Sequence, residues 1–146
     1  MNKYAPILLP MLFAVTIQGA SSIENQNDAH ESLLSKRVPM VALLANPGNF
    51  NNKQVCVDGI LHSVYEDDTL YLNREMADAL IKTNGLGLHY NETKLKLFPL
   101  DGPVDKKVGR DYFHNKLCAV LGTFKARSNT LENITAVWED SGAKKH

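Results

Sequence analysis

The sequence is short of cysteine and tryptophan and carries no net charge. Two cysteines and one tryptophan occur among 146 residues. Two cysteines cannot build a disulfide-dense miniprotein. Lys plus Arg is 16 and Asp plus Glu is 16, for a formal charge of +0. That balance shows neither the basic footprint of a nucleic-acid binder nor an acidic tail. No P-loop, Gly-x-Ser-x-Gly or His-Glu-x-x-His pattern occurs, and Gly85-Leu86-Gly87 is too short for a dinucleotide fingerprint. No repeat array appears, and the length suits one domain.

The N-terminal segment reads as a targeting signal. Lys3 precedes an uncharged, mostly apolar run from Ala5 to Ile17, and Gly19-Ala20-Ser21 follows it. This order predicts a secretory signal peptide over 1–21. The 13-residue run gives about 20 Å of helix, short of the roughly 30 Å hydrocarbon core, so no stable membrane anchor is expected after cleavage. The protein is expected to be periplasmic or secreted. Without Lys3 the charge becomes 15 minus 16, or −1. Residues 22–35 form a polar leader, 36–139 the folded domain and 140–146 a polar tail.

Alternation dominates the domain. Val55, Val57, Gly59, Leu61 and Ser63 interleave with Cys56, Asp58, Ile60, His62 and Val64, which predicts a strand. A two-residue loop at Asp67-Asp68 would pair Tyr65 with Leu70 and Val64 with Tyr71. One hairpin face then holds Leu61, Tyr65, Leu70 and Leu72, the better core candidate. The other holds Ile60, His62, Val64 and Tyr71. A short helix is expected around Pro39 to Leu44, before Asn46-Pro47-Gly48. A second is expected over Arg74 to Lys82, capped by Asn73 and ended by Asn84-Gly85. Further strands are expected at Leu86–Tyr90, Lys94–Phe98, Leu117–Phe124 and Ile134–Trp138. Phe50 to Gly59 also aligns without gaps on Phe113 to Gly122, with Phe, Asn, Lys, Val and Gly coinciding. In each copy the aromatic would plug a barrel end and Asn-Lys would make the turn. The expected fold is mainly β with one or two short helices, a small OB-like β-barrel of five to six strands.

The run from Val38 to Leu72 resembles a group of small exported bacterial proteins of uncharacterised function. The matching residues are Asn46-Pro47, Phe50, Lys53, Val55-Cys56-Val57-Asp58-Gly59, Glu66 and Leu70-Tyr71-Leu72. Gly122-Thr123-Phe124 and Leu131-Glu132-Asn133-Ile134 extend the likeness over roughly 38–138. The resemblance implies an OB-like barrel and transfers no catalytic residue.

Candidate chemistry is sparse. Cys56 and Cys118 lie in neighbouring predicted strands and are candidates for a disulfide in an oxidising compartment. The internal alignment argues against the bridge, because it places their side chains on opposite faces. The histidines at 30, 62, 89, 114 and 146 form no Cys/His pair at ligand spacing, so no metal and no cofactor is expected. Glu66-Asp67-Asp68 lacks the Asp-x-Asp-x-Asp-Gly pattern of a calcium loop and reads as a charged turn. Sequons at Asn91 and Asn133 would matter only in a eukaryotic secretory pathway. The charge of −1 and the export signal also count against nucleic acid. The outer stripe of Ile60, His62, Val64 and Tyr71 is left as the expected contact with an envelope protein or envelope component. The leading expectation is an exported binding module without catalysis. The alternatives are an inhibitor or immunity-type protein blocking an envelope hydrolase through the loop Pro99 to Arg110, and a small hydrolase using Glu66, Asp68 or His62.

Overall fold

The structure is a computed structural model that describes residues 35–64, 67–100 and 108–142. The expected signal peptide, most of the leader and the end of the tail lie outside the described residues, as do Tyr65 and Glu66. Among the described residues three short α-helices, α1 (Met40–Ala45), α2 (Pro47–Phe50) and α3 (Arg74–Asp78), accompany six strands. The strands are β1 (Gln54–His62), β2 (Thr69–Tyr71), β3 (Gly85–Tyr90), β4 (Lys96–Phe98), β5 (Lys116–Lys125) and β6 (Thr130–Glu139). 3₁₀ turns at Lys82–Asn84 and Arg110–Phe113 lead into β3 and β5.

The sheet order β3-β2-β1-β5-β6-β4 closes through a parallel β3–β6 pairing. Five strands thus make an OB-like barrel, and β4 adds a sixth alongside β6. Lys36 to Val38 runs parallel to β1, with Val38 N–H donating to Cys56 O (2.9 Å) and Cys56 N–H to Lys36 O (2.9 Å). Arg37 grips both carboxylate oxygens of Asp58 (2.6 and 2.7 Å) and also reaches Asp140 (2.7 Å). The two ends of the domain are therefore tied to the same patch of wall.

The alternation read from the sequence sets the faces. Val55, Val57, Leu61, Cys118, Val120 and Phe124 point into the main core, with Met40 and Leu43 entering from α1. Phe113 is 1% exposed and Phe50 packs on the same core, so each copy of the internal repeat does insert its aromatic. Gly59 is required by close approach: a Cβ there would lie 2.5 Å from Tyr71 O and 2.9 Å from Met40 Cε. Gly122 likewise faces Ile134 Cγ1 at 2.9 Å. Opposite Gly122, β6 bulges, and Asn133 takes a φ of 52° to do so.

Two expectations of local structure change. The β1–β2 register is Leu61↔Leu70 and Ile60↔Tyr71, not Tyr65 with Leu70. The connection is six residues, 63–68, rather than two. The slip is four residues in register sum, an even number, so Ile60, Leu61, Leu70 and Tyr71 keep their predicted faces. The second helix stops at Asp78, not at Lys82. Asn73 caps it as expected, accepting from Met76 N–H (2.9 Å). At the other end Leu80 adopts φ 53°, and Ile81 N–H reaches Met76 O (3.0 Å). That closes a Schellman turn with a leucine where glycine is usual. No helix among the described residues is long and apolar enough to cross a membrane.

Candidate functional site at one barrel end

β1, β3 and β6 finish at the barrel end where β2 and β5 begin. A cluster of polar side chains lies there. Asp68 closes the β1–β2 connection and is only 6% exposed. Its Oδ1 accepts from the Ser63 hydroxyl (2.7 Å), and its backbone carbonyl accepts from Leu88 N–H (2.9 Å). These bonds hold the acid inward and explain the long connection. A two-residue turn would have left it in water.

Asp68 Oδ2 is buried and has no hydrogen-bond partner. The Tyr90 hydroxyl, from the last residue of β3, is buried and unpartnered too. Burial, then the neighbouring Asp68 charge and the phenol's hydrogen bonding toward that carboxylate, hold the Tyr90 phenol well above its usual range, so it stays neutral. Arg110 opens the 3₁₀ turn before β5 and lies across this pair. Its guanidinium sits 4.7 Å above the Tyr90 ring. Its Nη1 is 3.6 Å from Asp68 Oδ2 and 3.5 Å from Glu92 Oε1. Both separations exceed a good hydrogen bond, so Arg110 balances charge without satisfying Asp68. Asp68, Glu92 and Arg110 together carry a net charge of −1.

The two histidines of this end meet as well. His62 at the end of β1 stacks at a tilt on His114, ring centroids 4.7 Å apart, and meets Tyr71 edge-on at 6.1 Å. His114 Nδ1 accepts from Ser63 N–H (3.2 Å). A Ser–His–Asp set is therefore present, but in an order unlike a nucleophilic triad. The Ser63 hydroxyl gives its proton's bond to Asp68, and the imidazole accepts from Ser63 backbone instead.

The predicted contact stripe has a different fate. Ile60 is 8% and Tyr71 1% exposed, packed under Met76 and Ala77 of α3 with Leu117 beside them. His62 is half-buried and Val64 is exposed. The stripe faces outward as expected, but α3 covers its centre, so it does not form an open docking surface. The Cys56–Cys118 bridge is also absent. Cys118 lies in the main core, while Cys56 packs with Ala119, Leu121 and Trp138 on the outer face of the wall. The wall stands between the two sulfurs, as the internal alignment indicated. No group of three or more metal-ligating side chains occurs among the described residues. The sequon asparagines bond each other, Asn91 Nδ2 to Asn133 Oδ1 at 2.6 Å.

Of this site the sequence reading had singled out His62 and Asp68. Tyr90, Arg110, Glu92 and His114 were missed because only barrel closure brings them to Asp68. One signal was available: the internal alignment places His114 opposite Asn51, a substitution at a turn position that the fold does not itself demand. No family model, curated protein or solved structure matches this chain.

Proposed function

We propose that the protein is a small exported binding module without catalytic activity, whose contact is the barrel end around Asp68. The observation that carries this reading is the buried carboxylate oxygen Asp68 Oδ2, which neither Arg110 nor the adjacent Tyr90 hydroxyl reaches at good hydrogen-bond geometry. A buried carboxylate oxygen left without a donor is costly, by about 1–3 kcal/mol or more for a charged group. A ligand that donates a hydrogen bond there removes that cost. The local charge of −1 selects a cation, so the preferred group is an ammonium or guanidinium, such as a lysine or arginine side chain of an envelope partner.

The test uses butylammonium as a lysine mimic and tetramethylammonium as a charge without donors. Millimolar butylammonium should shift the amide resonances of Asp68, Thr69 and Tyr90 saturably, tetramethylammonium should not, and Asp68→Asn should abolish the effect. Equal responses to both cations, or none to either, would overturn the reading.

One observation favours the inhibitor alternative. Glu139 Oε2 accepts from Leu100 N–H (3.0 Å) and from the Tyr112 hydroxyl (2.9 Å), so one carboxylate pins both stems of the loop between β4 and β5.

A further inference from the structure

The β1–β5 ribbon contains its own control experiment. Adding 63 to a β1 residue and subtracting 63 from its β5 partner yields another pair of the same ladder: Val55↔Gly122 becomes Cys118↔Gly59. The turns at its two ends obey the same operation. Asn52 and Asn115 both sit in the left-handed region, at φ 61° and 59°. Their N–H groups donate to Phe124 O and Leu61 O, each at 2.8 Å. The preceding residues, Asn51 and His114, share φ/ψ near −57°/130°. Each side chain then accepts the equivalent backbone N–H: Asn51 Oδ1 from Ala126 (3.0 Å), His114 Nδ1 from Ser63 (3.2 Å).

An amide oxygen thus does at one end what an imidazole nitrogen does at the other. The fold needs only the acceptor. The amide accepts at any pH, whereas Nδ1 accepts only while it carries no proton. We infer that His114 is a proton-operated latch on Ser63 and, through it, on Asp68. Protonated Nδ1 sets N–H against Ser63 N–H. The groups around His114 do not offset this: His62 from β1 faces it ring to ring, and Arg74 of α3 brings a cation to the adjacent Asn115 O (2.9 Å). Of the nearby acids, Asp68 is spanned by Ser63 and Arg110, and the Asp111 carboxylate folds back beside Gly109. Neither imidazole has a carboxylate ion pair among the described residues. Release of Ser63 N–H frees the residue whose hydroxyl holds Asp68 inward. Acid therefore releases Ser63. The consequence for binding rests on the barrel-end reading above; the latch itself does not.

The measurement is amide-exchange protection by NMR on the ligand-free protein, normalised to intrinsic rates. It compares Ser63 with Ala126 in the same molecule at pH 7.5 and pH 5, across the range in which histidines titrate. Ser63 should lose about tenfold in protection at pH 5, the worth of one hydrogen bond, while Ala126 keeps its own. His114→Asn, a copy of the other turn, should hold Ser63 protected at both pH values. Asn51→His should transfer the pH dependence to Ala126, which keeps the idea testable if His114→Asn fails to fold. Equal behaviour of Ser63 and Ala126 in the parent protein would overturn the latch. A working latch with no butylammonium response would instead remove only the binding reading.

Discussion

Burial raises the thiol of Cys56 to about 11 and that of Cys118 to about 12. Desolvation of the thiolate is the main cause in both, and the charge of Asp58 or Glu139 adds to it. Little thiolate exists at pH 8, and both sulfurs are packed against apolar neighbours. A thiol reagent at pH 8 should therefore leave the native protein almost unmodified and count two thiols after denaturation without reductant. One disulfide's worth of missing thiol would contradict the register of β1 and β5. The same residue-scale logic separates Asp68 from Asp67. Adjacent in sequence and alike in chemistry, one is buried beside Arg110 and the other pairs with Lys82 in solvent. The difference follows from which way the chain turns at each Cα, and composition carries no trace of it.

Among the elements, α3 departs most from its sequence pattern. Apolar residues recur at 76, 77, 80 and 81, which reads as one helical face. The helix ends after five residues, and Leu80 and Ile81 are left 54% and 43% exposed. A leucine in the left-handed region costs about 1–2 kcal/mol relative to the right-handed one. Leu80→Gly removes that strain and gives up little burial, against a larger unfolded-state entropy for glycine. The variant should gain about 0.5–1 kcal/mol, read as a higher urea midpoint at unchanged slope. A loss of stability would mean that the Leu80 side chain anchors α3 over Tyr71. The β1–β2 connection illustrates the converse. Its strands and faces were legible from alternation, and only its length was not. Loop length here answers to Asp68, whose partners are Ser63 at the other end of the same connection, Leu88 of β3 and Arg110 before β5.

At the scale of the whole molecule, Glu139 joins four pieces: the stem at Leu100, the 3₁₀ turn at Tyr112, β5 at Lys116 (3.0 Å) and its own β6. Burial alone would raise its carboxyl, but the Leu100 N–H, the Lys116 ammonium and the Tyr112 hydroxyl outweigh it and hold the group below its ordinary 4.5. A depressed carboxylate stabilises the fold fully above its unfolded value, and that stability is lost as pH falls through the folded value. Acid unfolding monitored by circular dichroism should therefore steepen below about pH 4.5. Glu139→Gln should flatten that limb and cost about 1–2 kcal/mol at neutral pH. An unchanged acid limb would show that Glu139 is not a source of the pH dependence.

The sequence by itself determined the strands, the faces of β1 and β5, the α3 cap and the repeat that relates the two ends of the ribbon. All of these depend on period-two alternation, on one asparagine before a helix, or on two stretches read side by side, and each is local. Tertiary structure alone decided what covers each outward face and which polar groups meet at the barrel end. α3 lies over Tyr71, Arg110 over Tyr90, and His114 against Ser63 only because the barrel closes. Closure joins residues far apart in the chain, and no local period records where the ends will meet.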